Sequence, residues 1–210
     1  MAALLDLSTA WFKGLKVPDG FGARAVLAPV LGALAFSTVV GCGEGGVGDP
    51  CIPEEEYRAG FSGFSKDEVS IESRSFQCRT RVCMVHNFQG RVSCPYGQTS
   101  EDLDNERDYC RTPDLLLPIT VAVAPQLIER RPSDGVYCSC RCAGSQENAP
   151  YCECPSGYVC QEILPEDINI GDPQLAGGYC VKAGKTEVPT DTRVCSRDQG
   201  NCGEPRDPFQ

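Results

Sequence analysis

Cysteine is the residue with the most chemistry to offer in this chain, which has 15 cysteines among 210 residues. The densest groups are Cys138, Cys140 and Cys142, which alternate with other residues, and Cys152 and Cys154 shortly after them. Cysteines at this frequency are typical of exported proteins held by disulfides or of metal sites built from thiolates. The first question is therefore which of these two chemistries the chain uses.

The spacing favours disulfides over metal ligation. Zinc sites usually contain closely spaced cysteine pairs, often together with histidine. No C-x₂-C occurs here, and the single histidine, His86, is remote from the dense groups. The missing C-x-x-C also argues against a thioredoxin-like redox enzyme. We therefore expect disulfides, with no metal and no cofactor.

Fourteen cysteines remain when Cys42 is set aside, and this even number suits seven disulfides in an oxidising compartment. Their pairing cannot be read from spacing. The fourteen are Cys51, Cys78, Cys83, Cys94, Cys110, Cys138, Cys140, Cys142, Cys152, Cys154, Cys160, Cys180, Cys195 and Cys202.

Cys42 stands apart because it follows an apolar run. Residues 25–40 contain no charge and are preceded by Arg24. A membrane-spanning helix needs about 20 apolar residues, so this run is short for a permanent anchor and suits a signal-peptide core. The long leader ahead of Arg24 departs from an ordinary signal peptide, so we expect the true start to lie downstream. An ordinary secretory signal and an uncleaved membrane helix are the alternatives.

The end of this run, Val39-Val40-Gly41-Cys42, resembles the lipobox of bacterial lipoproteins. The resemblance implies that Val39, Val40 and Gly41 are recognised by a signal peptidase that cuts before Cys42. Residues 1–41 would then be a cleaved signal peptide. The Cys42 thiol would carry a diacylglyceryl group with acyl chains such as palmitate.

Residues 42–50 are predicted to form a lipidated flexible tether, because they are glycine-rich and lack an apolar period. Each buried CH₂ of an acyl chain contributes about 0.8 kcal/mol to membrane binding, so two or three chains hold firmly. In enteric bacteria an aspartate after the lipidated cysteine retains the protein at the inner membrane. Gly43 occupies that position here, so we expect an outer-membrane lipoprotein of the cell envelope, facing either the periplasm or the outer surface.

The charge balance narrows the possible partners. The chain carries a net charge of −10, and residues 1–41 contribute +1, which leaves −11 for the remainder. An acidic surface of this size keeps a protein soluble and repels acidic polymers. Nucleic acid is therefore excluded as a partner, because phosphate backbones select basic surfaces.

The expected fold is small, disulfide-rich and mainly β, with irregular loops, short cross-linked hairpins and little helix outside the signal segment. We divide the chain after the tether into a Cys-rich β subdomain at 51–135 and a disulfide-knit hairpin subdomain with a tail at 136–210. The two could also form one domain. Small domains of this kind need cross-links because they cannot bury a large aliphatic core.

Three segments of the first subdomain are strand candidates. Alternating apolar residues predict a half-buried strand within Glu68–Arg74, and Arg81–His86 and Arg91–Cys94 are further candidates. The residues between the last two segments would turn the chain.

Two polar segments of this subdomain are predicted to form a short helix and a solvated face. Ser100–Tyr109 is polar, and Thr99 or Ser100 could cap a short helix there. The three consecutive glutamates at Glu54–Glu56 are expected to form a solvated face.

Leu115–Ala124 is the most apolar stretch after the tether. Its prolines favour an edge strand at Ile119–Val123 that covers the core. The alternative is an exposed apolar strip that binds a partner.

The dense cysteines predict a cross-linked hairpin. Cys138, Cys140 and Cys142 would share one face of a strand, because successive residues point to opposite faces. Cys152 and Cys154 would share a face of a returning strand after an exposed loop. Directly opposed positions on antiparallel strands approach closely enough for a disulfide.

The last two cysteines are expected to tie down the polar tail. Cys195 and Cys202 would bond to each other or to the distant Cys51.

A short resemblance accompanies the hairpin. Cys152–Cys160 (CECPSGYVC) is similar to the C-terminal half of an EGF-like module, although the cysteine spacing before it differs. It implies a cysteine hairpin and no activity. The layout of lipobox, tether and acidic cysteine-rich body resembles that of surface lipoproteins of gliding and predatory Gram-negative bacteria, again with no activity implied.

Few residues of this chain are candidates for catalysis or for binding a ligand. His86 is the single histidine available as a general base, and a structural role is the preferred interpretation. Two acidic loops lack the full spacing of a calcium loop, so solvated turns are preferred there too. Their residues are Asp102, Asp104, Glu106 and Asp108, and Asp167, Asn169, Gly171 and Asp172.

The sequence therefore favours a lipid-anchored envelope protein with a non-catalytic interaction or structural role. It would bind the membrane through its N-terminal lipid and bind a protein or a surface polymer. One alternative is a lipid-anchored protease inhibitor that presents the loop Ala143–Pro150. Another is a hydrolase that uses acidic residues to act on envelope polymers.

Overall fold

The computed structural model describes residues 46–104, 110–165 and 175–202. Within these ranges the chain forms two three-stranded antiparallel sheets with very little helix. The strands are β1 (Val69–Glu72), β2 (Val82–His86), β3 (Val136–Ser139), β4 (Arg141–Ala143), β5 (Tyr158–Leu164) and β6 (Gly177–Lys182). The helices are α1 (Ser100–Asp104) and α2 (Pro132–Gly135), and Glu54–Tyr57 forms a 3₁₀ turn. The predicted fold class, a small disulfide-rich β protein, is confirmed.

The first sheet has the order β1-β2-β3. The strand predictions over Glu68–Arg74 and Arg81–His86 are confirmed by β1 and β2, which pair in register with Val69 opposite His86. Valine and isoleucine favour these strands because their branched side chains pack well on a pleated surface. β2 lies in the centre and is buried over most of its length.

The apolar core beside this sheet is small. It consists of five buried side chains, and the partly buried Phe61 packs against them. The five are Phe64, Val85, Phe88, Val92 and Val136.

The second sheet has the order β4-β6-β5. The central strand β6 is buried from Gly177 to Val181. The edge strand β5 has no buried residue along its seven positions. This sheet therefore has little apolar burial on its outer strand.

One short segment connects the two sheets. β3 and β4 follow each other with only Cys140 between them, so the chain leaves the first sheet and enters the second at that residue. Ser139 Oγ donates to the carbonyl of Cys180 at 2.8 Å, and the N–H of Lys182 donates to the hydroxyl oxygen of Tyr137 at 2.9 Å. The residues from Gly43 onward group into one compact unit, with no break after residue 135.

Residues 46–50, the described part of the predicted tether, are attached to β3. The N–H of Gly48 donates to the carbonyl of Cys138, and the N–H of Cys138 donates to the carbonyl of Asp49, both at 2.8 Å. Gly48 has a φ of +94°, and a Cβ at this position would lie 2.4 Å from the hydroxyl of Tyr158. The expectation of a flexible tether is therefore wrong for 46–50. The predicted signal peptide at 1–41 and Cys42 lie outside the described residues.

The strand predicted at Arg91–Cys94 is wrong. These two residues close a tight turn, in which the N–H of Cys94 donates to the carbonyl of Arg91 at 3.3 Å. The side chain of Arg91 is fully buried, and the turn reverses the chain before a strand can form.

The strand predicted at Ile119–Val123 is also wrong, although Ile119 and Val123 are buried as expected. This segment has only isolated bridges near its ends. The side-chain amide of Gln98 donates to the carbonyls of Ile119 and Val121, at 2.9 and 2.7 Å. A glutamine side chain thus supplies the donors that a neighbouring strand would otherwise provide.

The short helix predicted after Thr99 is confirmed as α1. The N–H of Asp102 donates to Thr99 Oγ1 at 3.2 Å, and Asp102 Oδ2 accepts from the N–H and the hydroxyl of Thr99. This reciprocal arrangement is a capping box, with aspartate in the place of glutamate. Residues 105–109 lie outside the described residues.

Candidate functional site

Seven disulfides use all fourteen cysteines of the described residues, as expected. The pairs are Cys51–Cys83, Cys78–Cys138, Cys94–Cys110, Cys140–Cys152, Cys142–Cys160, Cys154–Cys180 and Cys195–Cys202. Of the two expectations for the tail, the bond between Cys195 and Cys202 is the one that forms.

Among the described residues, cysteines that face each other across a ladder do not bond to each other. Cys83 faces Cys138 in the first sheet, and Cys160 faces Cys180 in the second. Each of these four cysteines bonds to a residue elsewhere. Cys83, Cys138 and Cys180 bond to residues outside the strands, and such a bond restrains a segment that no ladder holds, whereas Cys160 of β5 bonds to Cys142 of β4, a strand with which β5 does not pair.

The predicted returning strand with Cys152 and Cys154 is wrong, because both residues precede β5 in a segment without strand structure. Cys152 lies beside β4, since its N–H donates to the carbonyl of Arg141 at 3.0 Å. The bond Cys140–Cys152 closes the mostly exposed loop 143–150. A cross-link over this loop was expected between two strands. Instead, Cys140 directly follows β3, and Cys152 lies in a segment without strand structure.

Three disulfides of the second sheet stack on one another. The Sγ atom of Cys180 lies 3.7 Å from Sγ of Cys140 and 3.7 Å from Sγ of Cys152, although it is bonded to Cys154. Cys160 is exposed and Cys180 is fully buried, so the sulfur atoms extend from the surface inward.

Three groups of sulfur atoms are each close enough together to resemble a metal site, with all Sγ atoms of a group within 4.8 Å of one another. The groups are Cys51, Cys78 and Cys138; Cys140, Cys152 and Cys180; and Cys142, Cys154 and Cys160. Metal ligation uses thiolates, and every one of these sulfurs is in a disulfide. In this oxidation state the sulfur clusters act as cross-links.

A buried ion pair lies beside the first sheet. Glu56 was expected on a solvated face, but Glu56 and Arg91 are both fully buried. Arg91 Nε donates to Glu56 Oε2 at 3.3 Å, and the Arg91 guanidinium also donates to the carbonyls of Phe61, Arg58 and Glu56. Charges buried in this way are tolerated when they are paired and hydrogen-bonded.

The carboxylate of Glu56 also holds the turn that contains Arg91. It accepts from the N–H of Val92 at 2.7 Å and from the hydroxyl of Ser93 at 2.8 Å. Burial raises the pKa of Glu56, and the opposing influences are Arg91 and these hydrogen bonds. The pair connects the 3₁₀ turn to the segment after β2, so its role is structural.

His86 is also buried, at the end of β2. Burial and, to a smaller extent, the charge of Arg130 together lower the pKa of His86 to about 4. Within the described residues, Nδ1 of this ring has no hydrogen-bond partner. A neutral, enclosed imidazole without an orienting carboxylate does not match the triad geometry of a hydrolase.

In the described part of the chain, three consecutive exposed apolar side chains lie in the loop Thr112–Leu117, which we call the leucine loop. Leu115, Leu116 and Leu117 are 70%, 74% and 50% exposed. The alternative interpretation of Leu115–Ala124, an exposed apolar strip, therefore matches its first three residues, whereas its later part contributes to the core.

The leucine loop is held by its own hydrogen bonds. The N–H of Leu115 donates to the carbonyl of Thr112 at 2.8 Å, that of Leu116 to Asp114 Oδ1 at 3.1 Å, and that of Leu117 to Thr112 Oγ1 at 3.1 Å. Thr112 itself is fully buried. The loop therefore presents its three leucines on a fixed backbone.

The acidic loops are only partly described. The carboxylate of Asp102 is occupied by the cap of α1. Glu106 and Asp108 lie outside the described residues, as do Asp167, Asn169, Gly171 and Asp172. The preference for solvated turns over calcium sites in these loops therefore remains a prediction.

Neither α1 nor α2, nor any other helix in the described ranges, has the length and apolar character of a membrane span. No family model, curated protein or solved structure matches the chain. Its function must therefore be inferred from its own residues.

Proposed function

We propose that the chain is a lipid-anchored protein of the cell envelope, with a non-catalytic interaction or structural role at the membrane surface. The observation that carries this proposal is the use of the cysteines. All fourteen downstream of Cys42 are needed for seven disulfides, and Cys42 alone follows an uncharged run that ends in small residues. We therefore propose that the Cys42 thiol is acylated rather than used in a disulfide.

The disulfides support export as well. Such bonds form and persist in oxidising compartments and are rare in the cytosol. Secretion through the membrane would deliver the chain to a compartment of that kind, where the acyl chains on Cys42 would retain it. We propose the outer membrane as the location, because Gly43 stands where a retention aspartate would be expected.

The test is a comparison of Cys42→Ala with the matched control Gly43→Ala in a Gram-negative host. We expect the unchanged protein and the control to partition into detergent and to yield an N-terminal peptide whose mass includes a diacylglyceryl group. The Cys42→Ala variant should lose the diacylglyceryl group, and it should either leave the detergent phase or keep its uncleaved leader. An unmodified N-terminal peptide in the unchanged protein would overturn the proposal, as would a Cys42→Ala variant that stays in the detergent phase with unchanged mass.

A second candidate function is protease inhibition by the same anchored protein. It is favoured by the loop 143–150, which is mostly exposed and is braced by Cys140–Cys152. Inhibition of a panel of serine and cysteine proteases would be measured for the full protein and for a variant with alanine at residues 145–148. Inhibition that is lost in the variant supports this function, and an inert protein excludes it.

A further inference from the structure

The leucine loop exposes three consecutive large apolar side chains to water. Three consecutive leucines are exposed on an otherwise acidic chain, and contiguous apolar patches of this kind mark contact sites. We propose that the leucine loop inserts shallowly into the zwitterionic lipid surface of the bilayer that holds the anchor. This inference rests on the proposed lipid anchor at Cys42.

The hydrogen bonding of the loop favours lipid as the occupant. A backbone N–H that enters hydrocarbon without a partner is costly, because no water is available there. The N–H groups of Leu115, Leu116 and Leu117 all donate to Thr112 or Asp114 within the loop. The three leucines can therefore leave water without exposing an unsatisfied donor.

The length of chain between the anchor and Gly46 keeps the folded body near the bilayer. Gly46 is the first described residue, and residues 46–50 are fixed to β3. Four residues from Cys42 to Gly46 span at most about 14 Å when fully extended. Because the anchor holds the body at a high local concentration of lipid, a weak insertion is sufficient.

Two charges lie at the loop, Asp114 and Arg111, whose guanidinium donates to the carbonyl of Leu115 at 3.4 Å; they limit the depth of insertion, and the net charge of the chain selects the lipid. Asp114 lies between the base and the leucines, and its pKa is lowered mainly by its hydrogen bond from Thr112, so it remains ionised. A charged carboxylate keeps insertion at the boundary between headgroups and acyl chains. The net charge of −11 that follows residue 41 disfavours anionic lipids, so we expect a zwitterionic surface.

The experiment uses tryptophan as a depth reporter in the full, acylated protein. The one natural tryptophan, Trp11, lies in the predicted signal peptide and leaves with it, and it is replaced by phenylalanine so that unprocessed protein adds no signal. Leu116→Trp reports on the loop. Phe76→Trp is the matched control, because Phe76 is 84% exposed at a different place. Each protein is reconstituted into phosphatidylcholine vesicles with or without brominated acyl chains.

We expect Leu116→Trp fluorescence to be quenched about twofold or more by brominated lipid and to shift to shorter wavelength, with Phe76→Trp unaffected. Equal quenching of both reporters, or of neither, overturns the inference. A Leu116→Trp reporter that shifts only in a purified complex with another protein would assign the loop to a protein partner and also overturn it.

The mass of the N-terminal peptide separates this inference from the proposed function. Acylated protein with an unquenched reporter contradicts insertion and leaves the anchor intact. Quenching of a protein without acyl groups at Cys42 contradicts the anchor and supports insertion by the loop alone.

Discussion

The two sheets of this protein are stabilised in different ways. The first packs against five buried apolar side chains and is flanked by the buried pair Glu56–Arg91. The second has an outer strand, β5, without a buried residue, and three stacked disulfides, one of which joins β4 to β5. Both sheets contribute to a further buried cluster of Met84, Tyr137, Tyr179 and Val181, against which apolar side chains of β5 pack while only partly buried. Cross-links thus occur at the highest density around the strand whose apolar side chains stay partly exposed, as expected for a body too small to form one large core.

Arg91→Met should produce the largest loss in the free energy of unfolding, and this loss should come from the first sheet. It leaves the Glu56 carboxylate buried without its cation, and removing one partner of such a pair costs about 5 kcal/mol at the upper end. Denaturant unfolding of the oxidised protein would measure the loss. Arg79→Met is the control, because Arg79 is exposed and its replacement should change the free energy of unfolding by less than about 0.5 kcal/mol. A loss for Arg91→Met no larger than the control would contradict a structural role for the pair.

Removal of Cys154–Cys180 should destabilise the second sheet. The bond joins residues 26 apart, and replacing both cysteines by alanine should cost about 3.5 kcal/mol through restored freedom of the unfolded chain. Amide hydrogen exchange would locate the effect. We expect lost protection in β5 and β6 with protection in β1 and β2 retained. Equal losses in both sheets would show that they unfold as one unit and would break the comparison.

His86 should make the stability of the first sheet sensitive to acid. Its pKa is about 4 when folded and about 6.5 when unfolded, so the unfolded chain binds a proton first as pH falls. The contribution of neutral His86 to the free energy of unfolding should be fully present above pH 6.5. This free energy should fall by about 3 kcal/mol in total as pH approaches 4.

The control for this prediction is His86→Gln, which cannot titrate. Unfolding free energies of both proteins would be measured from pH 7.5 to 4, and their difference isolates His86 from the carboxyl groups. Parallel curves would contradict the lowered pKa of His86.

Removal of Cys195–Cys202 should have the smallest effect. This bond closes a loop of only seven residues, so replacing both cysteines by alanine should cost about 2 kcal/mol. The expected ratio between this loss of unfolding free energy and the loss for Cys154–Cys180 follows from the two loop lengths. Thermal unfolding of both variants would test it. A larger loss here than for Cys154–Cys180 would mean that contacts of the tail, rather than chain entropy, dominate.

Local patterns predicted the structure well where the backbone pairs locally. Alternating valine and isoleucine predicted β1, and Thr99, one of two candidate caps, predicted the start of α1. The same approach failed at Ile119–Val123, because the side chain of Gln98 replaces a neighbouring strand there.

The buried ion pair had no local signal. Three consecutive glutamates have no pattern that distinguishes Glu56 from its neighbours, and its partner Arg91 lies 35 residues further along the chain. Similarly, the exposure of Leu115–Leu117 depends on the hydrogen bonds to Thr112 and Asp114, which the apolar pattern does not reveal.

Composition and spacing were sufficient to predict a disulfide-held β protein and to set Cys42 apart from an even number of other cysteines. The pairing depended on the folded chain. Cys83 and Cys138 face each other in one ladder, yet they bond to Cys51 and Cys78. Cys78 and Cys138 are 60 residues apart, and only packing of distant segments brings their sulfurs together, because backbone pattern acts over a few residues and a disulfide joins whatever the fold places in contact.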